Sequence, residues 1–142
     1  MTQQQIAKAI LHTDGAAKGN PGPAGAGFVL TTETGDTIAE GAIPLGHATN
    51  NFAEYKALIA GLTEALARAI PTVEVFSDSE LMCRQLNGQY RVKSEGLIPL
   101  YQEVRRLAAS FQIVKYTHVR RHLNERADAL ANEAAYLSAR GG

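Results

Sequence analysis

The chain opens with short apolar runs separated by turn residues. Residues 6–13, "IAKAILHT", carry Ile and Leu over about the usual strand length and predict a first strand. Residues 27–34, "GFVLTTET", predict a second, "GD" a turn, and residues 37–43, "TIAEGAI", a third. The period then changes. In residues 50–70, Leu58, Leu62 and Leu66 recur at four-residue spacing beside Tyr55 and Ile59, which predicts a long amphipathic helix ended by Pro71. Residues 72–77, "TVEVFS", are β-branched and strand-like. Residues 78–88, "DSELMCRQLNG", predict a short helix closed by Gly88, and residues 99–110 a further helix with Pro99 near its start. Residues 111–119 predict a fifth strand. Residues 124–139 predict a last helix with Asn124 as its N-cap. The order is βββαβααβα. A three-strand meander followed by strands joined through helices predicts an α/β fold, a mixed sheet with helices over its faces. No repeat or linker divides it, so residues 1–142 read as one domain.

Composition narrows the class. With 45% hydrophobic and 20% charged residues the chain is globular rather than disordered. No apolar run approaches the roughly 20 residues of a membrane span, and "MTQQQIAKAI" lacks the pattern of a signal peptide. Cys83 is the one cysteine, which excludes an intrachain disulfide and a cysteine zinc cluster. These features predict a cytoplasmic protein with no membrane partner. The formal net charge of zero gives no global sign of a nucleic-acid partner.

The stretch "HTDGAAKGNPGPAGAGFVL", residues 12–30, poses the main question. A dinucleotide-binding glycine loop joins a strand to a helix. Here two prolines interrupt the loop and a strand follows, so no helix N-terminus is available for a phosphate. The stretch is therefore a turn that places Asp14 at a strand end and lets another backbone approach closely where glycine offers no side chain. Three more acids occupy comparable places. Glu54 lies near the start of the long helix, Asp78 ends the "VEVFSD" strand, and Asp128 sits one turn into the last helix. Each has a plain structural explanation: a turn residue, a helix-dipole partner, a member of a Ser77–Glu80 capping box, a surface charge. Together they are more specific. Four converging carboxylates without matching cations repel strongly, and an oxygen-rich, thiol-free site suits Mg²⁺ or Mn²⁺. A pair of such ions roughly 4 Å apart is the machinery of phosphodiester hydrolysis.

Four segments, "TDGAAKGNPGPAGAG", "TNNFAEYKAL", "FSDSEL" and "HVRRHLNERADALANEA", resemble in order the type 1 ribonuclease H family. The short "NGQYRVKSEGLI" between the two middle helices is similar to the compact subgroup without a basic protrusion. The resemblance implies a ribonuclease H-like fold, a five-stranded sheet of order 3-2-1-4-5 with strand 2 antiparallel to its neighbours. It implies a monomeric endonuclease that cuts the RNA strand of an RNA–DNA hybrid, leaving 3′-hydroxyl and 5′-phosphate ends. Two Mg²⁺ per site, with Mn²⁺ able to substitute, would be held by Asp14, Glu54, Asp78 and Asp128. Asn20, Thr49, Asn50 and Asn51 would contact the hybrid; the alternative for Asn50 is an N-cap.

The loop before the last helix is shorter than in many relatives, so two histidines compete for the family's proton-handling role. Spacing from Asp128 reaches His118, whereas matching the strand end reaches His122, and the strand match is preferred. Arg121 is the competitor, a guanidinium suited to holding the scissile phosphate. Setting the four acids aside leaves 14 basic against 10 acidic residues, and Arg91, Lys93, Lys115, Arg120 and Arg121 become candidate phosphate contacts. The rival readings are an integrase-like enzyme on the same fold and a non-catalytic hybrid-binding module.

Overall fold

The computed structural model describes residues 5–141. Five strands, β1 (Lys8–Ala17), β2 (Gly22–Thr32), β3 (Thr37–Ala48), β4 (Thr72–Ser77) and β5 (Ile113–His118), form one sheet of order β3-β2-β1-β4-β5. β2 runs antiparallel to both neighbours, and β4 and β5 join in parallel. Four helices complete the order expected from the sequence: α1 (Asn50–Ala67), α2 (Glu80–Leu86), α3 (Ile98–Ala108) and α4 (Glu125–Gly141), the last preceded by one 3₁₀ turn at Arg121–Leu123. Residues 87–97 connect α2 to α3 without a helix or strand, so no protrusion is present there. Among the described residues no helix is long and apolar enough to cross a membrane.

The glycine stretch differs from expectation in one respect. β1 continues past Asp14 to Ala17, and β2 begins at Gly22, so most of the stretch is the two arms of a hairpin. Asp14 pairs with Gly27 within the antiparallel ladder. It is still an end of a kind, because the parallel pairing of β1 with β4 stops one residue earlier, at Thr13 and Ser77. At that point β4 ends, and the next residue after it is Asp78.

Helices pack on both faces, and two glycines fix how closely. Gly15 faces α1: a Cβ there would stand 2.5 Å from the Ala53 carbonyl carbon and 2.8 Å from its Cβ. Gly27 is opposite Asp14, the neighbour of Gly15, so it points to the other face. A Cβ on it would stand 2.6 Å from the Ala131 amide nitrogen of α4. The small side chains Ala127, Ala131, Ala134 and Ala135 are fully buried on that helix. The larger core lies under α1, where Leu11, Leu30, Tyr55, Leu58, Leu62, Val73 and Val75 are buried. Each such Leu or Val contributes about 1.5–3 kcal/mol by leaving water. Tyr55 is anchored there by its hydroxyl, which donates to Gln85 Oε1 at 2.6 Å.

The helix caps differ from the sequence expectation. Thr49, not Asn50, caps α1, its Oγ1 accepting from the Phe52 amide at 3.2 Å. Ser79 caps α2 by accepting from the Met82 amide, while Ser77 accepts from the Ser79 amide. The Ser77–Glu80 capping box is therefore absent, and Glu80 pairs with Arg84 at 2.8 Å. Asn124 precedes α4 as expected, but its side-chain oxygen is without a hydrogen-bond partner, and its amide donates to the Thr13 carbonyl at 2.8 Å. Thr49, Ser77 and Ser79 thus bond local amides, whereas Asn124 satisfies a distant carbonyl in place of its own helix start.

Candidate active site

The end of the β1–β4 pairing gathers the acids. Asp14 comes from β1, Asp78 follows β4 directly, and Glu54 is brought over by α1, whose close seating on Gly15 places the Glu54 backbone against the strand. Ligand oxygens of these three carboxylates lie within 4.8 Å of one another. Asp14 and Glu54 are buried, at 4% and 8% exposure, and Asp78 is half-buried. Asp128, in the first turn of α4, approaches from the opposite side. It is 28% exposed and pairs with the Arg121 guanidinium at 3.4 Å.

The electrostatics follow from burial without cations. The Asp14 carboxyl is held far above the usual carboxylate range by desolvation first, then by the Glu54 charge, with Asp128 and Asp78 adding to the rise. Glu54 is raised by burial and by Asp78. Gly15 donates its amide to Asp14 Oδ1 at 2.9 Å. Glu54 Oε1, by contrast, is buried with no hydrogen-bond partner. A buried carboxylate oxygen left unsatisfied costs about 1–3 kcal/mol or more. Clustered carboxylate oxygens, one of them orphaned, fit a hard divalent cation as donor set. Cys83 is buried nearby, but burial pushes its thiol up to about 11, so the site remains an oxygen site.

The candidate substrate contacts fall into two groups. Asn20, Asn50 and Thr49 form a connected corner. Asn20 Oδ1 accepts from the Asn50 amide at 3.1 Å, and Asn50 Oδ1 accepts from the Ala17 amide at 2.9 Å. The hairpin tip is thereby tied to the start of α1. Both oxygens are used internally, which leaves the side-chain amide donors for a partner. Asn51 is exposed beside them. The second group is the 3₁₀ turn, where Arg121 and His122 are both exposed. Only Arg121 is shown reaching an acid. His118 ends β5 in register with Ser77, exposed at the mouth of a cleft shared with Glu80, Arg84 and Asn87. It is thus neither part of the acid cluster nor a packed sheet residue.

Two supporting roles were not assigned to particular residues from sequence, although a close backbone approach at a glycine of residues 12–30 was expected. Gly15 admits α1, and its only local signal is a glycine directly after an acid. Asn124 fastens the start of α4 to the residue before Asp14, a role hidden because its partner is 111 positions away.

Comparison with known proteins accounts for this arrangement. Residues 12–134 match the family model described as reverse transcriptase-like. The bifunctional protein Rv2228c of Mycobacterium tuberculosis is 42% identical over 128 residues, which is 89% of this chain and 35% of that protein. Ribonuclease HI of Halobacterium salinarum is 46% identical over 121 residues, 85% of this chain and 61% of the relative. This chain thus spans about a third to three fifths of the length of these relatives. Among solved structures, the N-terminal RNase H domain of Rv2228c superposes with a TM-score of 0.93 at 40% identity, covering 95% of this chain and 98% of that one. LC11-RNase H1, isolated from compost and solved in complex with RNA/DNA hybrid, superposes at 0.87 with 39% identity, covering 92% and 99%. A matching fold at TM-scores of 0.87 and 0.93 and identity near 40% over nearly the whole of it have one reading: the chain belongs to the type 1 ribonuclease H family.

Proposed function

We propose that this chain is a metal-dependent endoribonuclease that hydrolyses the RNA strand of RNA–DNA hybrids, leaving 3′-hydroxyl and 5′-phosphate ends, and that it acts as a monomer. The observation that carries the reading is the convergence of Asp14, Glu54 and Asp78 within 4.8 Å, two of them buried and one with an orphaned oxygen. A binding module would gain nothing from holding these acids together against their repulsion.

Asp14, Glu54, Asp78 and Asp128 would hold two Mg²⁺, with Mn²⁺ able to take their place. Such a pair, when bound, supplies Lewis acidity to water and charge stabilisation to the leaving oxygen. The chain supplies the rest. Asp14 sits on the central strand, paired with β2 at its own position and one residue past the end of the pairing with β4. Asp128 holds Arg121 at the rim, where the guanidinium can bind a non-bridging phosphate oxygen. His122, the next residue in the same turn, would accept a proton as the phosphodiester is attacked. Asn20, Asn50 and Asn51 present amide donors along the helix start, with Thr49 beside them. That suits recognition of 2′-hydroxyls in a wide, shallow minor groove.

The test is cleavage of an end-labelled hybrid with Mg²⁺, with Mn²⁺ and with chelator. Cutting of the RNA strand in either metal, none with chelator and none of the matched DNA duplex is expected. Binding of the hybrid without cleavage in both metals would replace the reading by that of a non-catalytic module.

A further inference from the structure

Beyond the acids, the connection between α2 and α3 builds a cleft that the proposed chemistry does not use. It encloses about 420 Å³ and is lined by Gln89, Tyr90, Arg91, Tyr101 and Gln102 among others. That volume is in the range of small-ligand sites, about 300–1,000 Å³. The cleft is lined by aromatic rings and cations together. Tyr90 is 50% exposed, with the Arg84 guanidinium 5.4 Å from its ring centre. Arg84 is itself held by Glu80 at 2.8 Å, so one side of the ring is backed. Arg105 stands 5.8 Å from the Tyr101 ring centre and donates to its hydroxyl at 3.0 Å. Arg91 forms no ion pair among the described residues, and Lys93 is exposed two residues on.

The platform is also fixed in place. Asn87 and Gly88, with φ of +79°, close α2 in a tight left-handed turn. Gly88 donates to the Gln85 carbonyl, and both Gln89 and Tyr90 donate to that of Arg84, at 2.8 and 3.2 Å. The ring therefore hangs from a hydrogen-bonded helix end.

Position adds the last observation. Gln89 lines this cleft and also the smaller polar cleft that contains His118. His118 is paired in register with Ser77, the residue before Asp78. Gln89 thus joins the two clefts, and the second of them opens at the end of β5, beside the strand that Asp78 follows.

We infer that this cleft binds a single-stranded polynucleotide tail that continues from the hybrid. The inference rests on the proposed hydrolase reading and adds a substrate class to it. A duplex keeps its bases stacked inside and offers an aromatic ring nothing but backbone; an unpaired base can lie on the exposed face of Tyr90. Arg91 and Lys93 meet the phosphates, and Gln89 and Gln102 offer amides to base edges. Stacking is tolerant of base and sugar, so the chemistry is shared by RNA and DNA tails.

The experiment compares a blunt hybrid with hybrids carrying a tail of about 5 nucleotides, within the span of one single-strand site, as RNA or as DNA on either strand. Binding is read by fluorescence anisotropy with poorly hydrolysed analogues, and kcat/KM with cleavable ones. At least one tailed hybrid is expected to bind about 10-fold more tightly than the blunt one, the scale of one stacked base. Tyr90→Ala should remove that difference, Tyr90→Phe should keep it, and Arg91→Glu should shrink it. The two Tyr90 variants should cut the blunt hybrid at the unmodified rate. Equal affinity for blunt and tailed hybrids, or a Tyr90→Ala loss that is the same for both, overturns the inference while leaving the hydrolase reading intact. Absence of blunt-hybrid cleavage by the unmodified protein overturns the reading beneath it.

Discussion

Replacing Gly27 by alanine tests how the sheet positions the fourth acid. A Cβ on Gly27 would lie 2.6 Å from the Ala131 amide nitrogen and 2.9 Å from Leu130 Cβ, with the Ala127 carbonyl closer still. Ordinary contact begins at about 3.4 Å, so α4 must retreat from β2 by close to 1 Å. Two of the obstructing atoms are helix backbone and cannot rotate away. Overpacking of this kind costs about 2 kcal/mol, within a range of about 1–3, which lowers Tm by roughly 5–10 °C for a chain of this size. Asp128 follows Ala127 directly, so the retreat also carries a candidate ligand away from Asp14. A misplacement near 1 Å costs about 100-fold in rate. We therefore expect Gly27→Ala to fold, to melt earlier, and to cut a hybrid about 100-fold more slowly at saturating substrate, with KM little changed. Gly96→Ala is the control, since a Cβ there meets nothing nearer than Ser94 Oγ at 3.9 Å. Differential scanning calorimetry and steady-state cleavage measure both quantities. A variant that melts with the unmodified protein and cuts at its rate would show that α4 is not seated on Gly27, and the account of how Asp128 is placed would fail.

Asp14→Asn should abolish cleavage by several orders of magnitude yet raise the melting temperature of chelator-treated protein, because one repelling carboxylate is gone; retention of more than about a tenth of the activity contradicts the central place given to Asp14. The pH dependence of the same metal-free protein has a definite sign. Folded Asp14 and Glu54 are raised, so the folded state keeps protons that the unfolded chain releases near pH 4. Stability should therefore fall as pH rises from about 4 through neutrality, and saturating Mg²⁺ should flatten the profile; a metal-free Tm that climbs over that interval refutes it. His122→Ala should lower turnover roughly 10- to 100-fold, at the low end of general acid–base effects. His118→Ala, at an exposed strand end, should change stability by no more than about 0.5 kcal/mol. If Arg121→Ala alone impairs turnover, the proton role given to His122 is wrong. Hybrid affinity should drop steeply with added salt, read as the slope of log K against log salt concentration, and a flat slope would remove the phosphate contacts.

The sequence patterns made the order of elements and the four acids legible because both rest on local signals. Leucines at helical spacing marked α1, β-branched runs marked β4 and β5, and each acid stood next to an element boundary. What stayed hidden depends on partners far along the chain. Residues 15–17 and 24–26 form strand arms from Gly, Ala and little else. Small residues carry no apolar alternation, so the pattern read as loop. Asn50 and Asn124 looked like caps because they precede helical runs, yet their side chains bond to Ala17 and Thr13 across the fold. Ser77 and Glu80 had the spacing of a capping box, but Ser77 still belongs to β4, so the helix begins two residues later than that motif requires.

The bond from the Asn124 amide to the Thr13 carbonyl has a consequence for the order in which the molecule matures. It closes a loop of more than a hundred residues, and the parallel pairing of β1 with β4 closes another of about sixty. Contacts this remote in sequence form late and slowly, since the loop entropy must be met before they reward it. During synthesis, Asp14, Glu54 and Asp78 can meet only after β4 has emerged, and Asp128 joins only when α4 has docked behind them. A nascent chain therefore carries its acid cluster unfinished until the residues of α4 that follow Asp128 have left the ribosome.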